Sequence, residues 1–186
     1  MRELQLLVMV VGTLLFPLPA GAVDSLKYEV LDKKPQERRN FVQGLEIVDG
    51  KLYVSSGNYG QSRLMRYNFE DMSLEVSKQL NRRLFAEGVT VLHERVYQLT
   101  WRERMMLVFD TRNLDYVEWF PIPGEGWGLT NDGEHLIYSD GSDRLHFLSP
   151  DDRKARRSIQ VSENGRPVRK LNELEWIEGR VWANIW

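Results

Sequence analysis

An all-β fold of the propeller kind is predicted by three features of this sequence. A short segment recurs four times: Phe41-Val42-Gln43-Gly44-Leu45, Phe85-Ala86-Glu87-Gly88-Val89, Gly126-Trp127-Gly128-Leu129 and Leu171-Asn172-Glu173-Leu174. The steps from Gly44 to Gly88, Gly128 and Glu173 are 44, 40 and 45 residues, a period typical of propellers and other repeat architectures. Between the repeats apolar residues alternate and turn residues punctuate them, the mark of strands joined by hairpins. No stretch keeps a 3.6-residue apolar period, so helix should be scarce.

The elements follow in chain order. The first blade reads Gly44–Val48, a turn at Asp49-Gly50, Lys51–Ser56, a turn at Gly57-Asn58-Tyr59-Gly60, Arg63–Asn68 and Leu74–Leu80. The second reads Gly88–Leu92, Arg95–Trp101, Met105–Thr111 and Tyr116–Ile122. The third reads Trp127–Thr130, the turn Asn131-Asp132-Gly133, His135–Ser139, Arg144–Leu148 and Ser158–Val161. Asp-Gly between alternating runs is a hairpin signal, and Asp140-Gly141-Ser142-Asp143 is read the same way, without the carboxylate pattern of a calcium loop. The fourth unit, Asn172–Trp186, aligns without a gap on Glu87–Trp101, which places Trp182 in the slot of Tyr97 as a core residue and Trp186 opposite Trp101. Tyr28–Leu31 reads as a lone strand of the kind that closes a propeller ring. The expected content is therefore about three blades, half a fourth and an N-terminal closing strand.

Residues 1–22 read as a signal peptide: an apolar run from Leu4 to Pro19 ends in Ala20-Gly21-Ala22, the small-x-small pattern of a cleavage site. The expectation is an exported (periplasmic or secreted) protein with a single partial propeller over residues 23–186. The absence of cysteine excludes a disulfide framework, thiolate metal ligation and a cysteine nucleophile. A net charge of −2 with interspersed signs gives no electrostatic case for nucleic acid or an anionic membrane as partner. The run Arg153-Lys154-Ala155-Arg156-Arg157 is read as a solvated loop and outer-strand edge. His93, His135 and His146 fall in different places with no ligand spacing, and Gly124-Glu125-Gly126 lacks the further glycine and helix of a dinucleotide site.

In a propeller, equivalent positions of successive blades converge on one axis. Gln43, Glu87, Trp127 and Asn172 share a register and would gather there, with Glu87 the one ionisable side chain among them. On register alone, Gln43 could equally bind a neighbouring blade's backbone, Glu87 could be a structural carboxylate or a ligand for a channel calcium, Asn172 could be a turn residue, and Trp101, Trp127 and Trp186 could be packing between blades.

With Tyr59-Gly60-Gln61-Ser62, Glu87-Gly88-Val89-Thr90, Ser139-Asp140-Gly141, Leu171-Asn172-Glu173-Leu174-Glu175 and Val181-Trp182-Ala183-Asn184-Ile185-Trp186 added to the repeats, the chain resembles the glutamine cyclotransferase family from about Tyr28 to Trp186. The resemblance implies a five-bladed β-propeller, here C-terminally truncated, since the family has a further blade and a site lysine beyond the position of Trp186. It implies a zinc-independent glutaminyl-peptide cyclotransferase, an acyltransferase that turns the N-terminal glutamine of peptides or proteins into pyroglutamate with release of ammonia. It assigns Glu87 as the catalytic acid/base and Phe41, Gln43, Phe85, Trp101, Trp127, Asn172 and Trp186 as substrate-binding residues, with no catalytic metal or required cofactor. A structural calcium in the channel, and a monomer when complete, belong to the same expectation. A non-catalytic propeller that binds peptide N-termini or small amines is the alternative the residues leave open.

Overall fold

The computed structural model describes residues 29–186. The expected leader, 1–22, and Tyr28 of the expected closing strand lie outside the described residues. Three antiparallel meanders follow one another, each a four-stranded sheet in sequence order. The first holds β1 (Val42–Val48), β2 (Lys51–Ser56), β3 (Arg63–Asn68) and β4 (Leu74–Gln79). The second holds β5 (Ala86–Leu92), β6 (Arg95–Thr100), β7 (Met105–Asp110) and β8 (Tyr116–Pro121). The third holds β9 (Leu129–Asn131), β10 (Leu136–Ser139), β11 (Arg144–Leu148) and β12 (Ala155–Gln160). A small hairpin, β13 (Ser162–Glu163) and β14 (Arg166–Pro167), leads to a two-stranded sheet of β15 (Leu171–Ile177) and β16 (Arg180–Ile185). Among the described residues there is no helix. The fold is an incomplete propeller of three blades and two strands of a fourth.

Turn chemistry sets the inner hairpins. Asp49-Gly50, joining β1 to β2, has φ of 50° and 71°, and Glu178-Gly179, joining β15 to β16, has 51° and 78°. Two successive positive φ values match the right-handed twist of the flanking strands. His93-Glu94 makes the same turn in the second blade at 49° and 59° without a glycine, a conformation that L side chains adopt reluctantly.

The core lies between the blades because alternate residues of each sheet face opposite neighbours. In β6, Val96 packs towards the first blade with Tyr53, Leu64 and Phe109. Tyr97 and Leu99 pack towards the third, with Leu129, Leu136 and Tyr138. Gln98, fully buried on the first-blade face, donates to Ser55 Oγ at 2.7 Å. A smaller cluster of Ile137, Leu145, Phe147, Leu171 and Leu174 joins the third blade to β15.

The innermost strands β1, β5, β9 and β15 lie side by side in that order, and β15 returns to touch β1. Their approach explains the recurring glycine. A Cβ on Gly44 would stand 2.7 Å from the Gly88 Cα, one on Gly88 2.4 Å from the Leu129 nitrogen, and one on Gly128 1.7 Å from the Asn172 oxygen. At the fourth register position stands Glu173, whose Oε1 accepts the Leu45 N–H at 3.0 Å across the return from β15 to β1.

Two expectations are corrected. Glu29–Leu31 form no strand and are exposed, because this stretch has no β partner among the described residues. Trp182 is 40 % exposed where its counterpart Tyr97 is 6 % exposed, since among the described residues β16 pairs only with β15 and no further sheet covers its far face. Smaller differences concern ends: β1 and β5 start two residues earlier than expected, β9 starts at Leu129, and β12 spans Ala155–Gln160. That last strand is exposed along its length, in keeping with a solvated basic edge.

Candidate active site

Glu87 enters from β5 and is 5 % exposed. Its Oε2 accepts the Gln43 Nε2 hydrogen at 3.0 Å, a bond between inner strands of adjacent blades. Burial is the main cause that raises its pKa to about 8; the Gln43 hydrogen bond opposes the rise, and the charges of Glu125 and Glu103 add to it. Gln43 thus meets the neighbouring blade through the Glu87 side chain and not through backbone.

The aromatic residues form a lip of edge-on ring contacts. Phe85 meets Phe41 edge-on at 6.3 Å, Tyr59 at 5.4 Å and Trp101 at 5.5 Å. Trp127 meets Trp186 edge-on at 6.0 Å. One carboxylate joins the two groups: Glu125 Oε2 accepts from Trp101 Nε1 at 2.8 Å and from Trp127 Nε1 at 3.1 Å. The Lys170 ammonium lies 4.6 Å from the centre of the Trp186 ring, and Arg102 lies 3.9 Å over Trp101. Phe41 is 51 % and Trp186 73 % exposed, so the mouth is open beside the start of β1 and the end of β16. Asn172 joins the constellation through its backbone carbonyl, which accepts the Ser139 Oγ hydrogen at 3.0 Å while that oxygen takes the Gly128 N–H.

Glu125, Lys170, Tyr59 and Glu103 were not among the residues singled out from sequence. A signal for two of them existed in the register. The residues two places before Gln43, Glu87, Trp127 and Asn172 are Phe41, Phe85, Glu125 and Lys170, so the same repeat carries a second tier nearer the mouth.

Towards the other end of the inner strands lie three more carboxyl groups. Burial raises Glu46 to about 7, Glu175 to about 7 and Glu173 to about 9. Glu46 is engaged by the Thr90 hydroxyl and the Val91 N–H, and Glu173 Oε2 is buried without a hydrogen-bond partner. Among the described residues no three His, Cys, Asp or Glu side chains form a group that could hold a metal ion. His146 pairs with Asp140 at 3.0 Å and stacks on Tyr138, and His135 lies 3.4 Å from Asp132.

On a propeller scaffold the site thus combines a buried carboxyl, the amide that holds it and two tryptophans linked through Glu125. The chain belongs to the glutamine cyclotransferase family, whose sequence profile matches residues 5–186. It is 37 % identical over 160 residues to the glutaminyl-peptide cyclotransferase of Arabidopsis thaliana, covering 85 % of this chain and 50 % of that protein. It superposes on the glutaminyl cyclase of Myxococcus xanthus with a TM-score of 0.77 and 32 % identity, covering 85 % of this chain and 67 % of that one. BamB from Moraxella catarrhalis, at 16 % identity and a TM-score of 0.51, shares the fold alone. The chain spans about half the length of the curated relative it matches.

Proposed function

We propose that this chain carries the site of a glutaminyl-peptide cyclotransferase acting on peptides or proteins with an N-terminal glutamine. The observation that carries the reading is Glu87, a buried carboxyl raised to about 8 and held by Gln43 beside the lip of Phe85, Trp101 and Trp127. The substrate's neutral α-amine attacks the Cδ of its own side-chain amide. A C–N bond forms to close the five-membered ring, the bond from Cδ to the amide nitrogen breaks, and ammonia leaves. Because both reactants belong to one residue, proximity is supplied by the substrate once its side chain is held folded. One proton must leave the attacking amine and one must reach the departing nitrogen. Glu87 can perform both tasks in turn, as a base and then as an acid, and a pKa close to the working pH suits such a relay.

Gln43 aims the Glu87 carboxyl, and its second amide hydrogen remains for the substrate carbonyl. Asn172 is assigned the same kind of donor role, and Phe41, Phe85, Trp101, Trp127 and Trp186 wall the cleft and exclude water. No step in this scheme passes through a metal. An exported location rests on the leader-like residues 1–22, and a monomeric state on the family resemblance.

The test is ammonia release from a glutaminyl peptide. Glu87→Gln should lower the rate by about 10²–10⁴-fold, the range of general acid–base help. The wild-type rate should rise with pH through about 8, because the base form is the deprotonated one. A Glu87→Gln variant as fast as wild type would end the relay assignment. Peptide binding without ammonia release would favour a binding module instead.

A further inference from the structure

We propose that Glu125 is a positioning residue of this site: by accepting both indole N–H groups it sets the spacing of Trp101 and Trp127, the two walls between which the substrate's glutamine side chain is held. The inference rests on the reading of the cleft given above. Trp101 follows β6 of the second blade and Trp127 precedes β9 of the third, so one carboxylate oxygen bridges a boundary between blades. An indole N–H is a donor with no acceptor capacity and needs a partner when half-buried. Both tryptophans use the same partner. Bonds to an ionised acceptor are roughly twice as strong as neutral ones, so the pair is held more firmly than its ring contacts alone would hold it.

The backbone around Glu125 is built for this reach. The Gly126 N–H donates to the Trp101 carbonyl at 3.1 Å, tying the loop to the end of β6. A Cβ on Gly126 would stand 2.5 Å from the Thr100 oxygen, so only glycine lets the strand end and the loop come this close. Gly124 has φ of 79°, a left-handed turn that brings the chain round. The string Gly124-Glu125-Gly126 therefore delivers one carboxylate between two indoles. The other oxygen, Oε1, faces Arg102 at 3.8 Å, and Arg102 covers the outer face of Trp101. Beneath the second wall, a Cβ on Gly141 would meet the Trp127 ring at 2.7 Å, so that ring is fixed from below by backbone and along its N–H edge by Glu125.

The arrangement separates two effects. Removing the carboxylate frees the walls, whereas replacing it by the nearly isosteric amide keeps an acceptor oxygen and removes only the charge. The charged groups around Glu87 are Glu103 and Glu125, with Glu173 further along the axis and Gln43 as the neutral partner.

The experiment compares wild type, Glu125→Gln and Glu125→Ala by near-ultraviolet circular dichroism, tryptophan emission and glutaminyl-dipeptide kinetics across pH. Trp101→Phe and Trp127→Phe serve to assign the indole bands. Glu125→Ala should weaken the bands of both tryptophans and raise KM by about tenfold or more, the loss expected for hydrogen bonds to a charged partner. Glu125→Gln should keep most of the indole signal but move the half-maximal pH of ammonia release downwards, because one negative charge facing Glu87 is gone. Unchanged indole bands and a KM within about twofold of wild type in Glu125→Ala, against the tenfold expected, would overturn the proposal. Should Glu125→Ala not fold, Glu125→Gln decides by its pH midpoint and indole bands, and the proposal falls if neither differs from wild type. If wild type releases no ammonia, the proposed activity falls, and the indole bands alone then decide the role of Glu125.

Discussion

The second blade and the β15–β16 pair share one sequence pattern and differ in surroundings. Glu87–Trp101 and Asn172–Trp186 align without a gap, yet Tyr97 and Thr100 are buried while their counterparts Trp182 and Ile185 are 40 and 56 % exposed. β6 is flanked by β5 and β7 and faced by sheets on both sides, whereas among the described residues β16 pairs with β15 alone. An apolar alternation thus states which residues a strand can bury. Whether it buries them depends on the neighbour.

Three experiments sharpen or break this comparison. The largest effect should come from the inner-strand stack that both regions share. Gly128→Ala would drive a Cβ to 1.7 Å from the Asn172 oxygen, backbone against backbone, so β9 and β15 must part. The expected loss in denaturant unfolding is at least about 3 kcal/mol, the upper end for overpacking. A loss below about 1 kcal/mol, the lower end of that range, would mean the strands can slide apart cheaply.

Truncation of the aligned aromatics should come next. Tyr97→Ala removes a ring buried between two blades and should cost about 3 kcal/mol or more, in the range for buried aromatics. Trp182→Ala removes a larger ring that is 40 % exposed and should cost about 1 kcal/mol, near the centre for point mutants. Equal losses at the two sites would show that β16 is covered in solution by something beyond the described residues.

The remaining effect concerns pH. Glu173 is raised to about 9, Glu87 to about 8, and Glu46 and Glu175 to about 7, each mainly by burial. Each therefore keeps its proton in the folded state at pH values where the unfolded chain has lost it. By linkage, stability then falls as pH rises from the ordinary carboxylate range towards about 9. Thermal midpoints should decline from pH 5 to pH 9, and Glu173→Gln should flatten the upper part of that decline. A midpoint that climbs over the same interval would show these groups ionised and well paired.

Much of this was legible beforehand, for reasons that can be named. The glycines of the repeat stand where inner strands nearly touch, so the register that aligns Gly44, Gly88 and Gly128 is a direct readout of the packing. Alternation located β2, β3 and β11 to the residue. The β13–β14 hairpin was overlooked although Asn164-Gly165 is a strong turn signal, because only two residues pair on each side and no apolar alternation frames it. The string Gly124-Glu125-Gly126 carries no local signal that marks Glu125. Its significance depends on the distance between two indoles from different blades, a tertiary fact. The exposure of Trp182 was hidden for a related reason, since it concerns what is absent beside a strand.

The Glu173–Leu45 contact links positions 128 apart along the chain, while each meander pairs strands that are sequence neighbours. Contacts of short separation form early and distant ones late. A ribosome would therefore release finished blades one after another, with the Leu45 amide left waiting until β15 has emerged. Closure of the described blades on one another is then gated by β15, and the slowest folding phase should report the docking of β15 on β1.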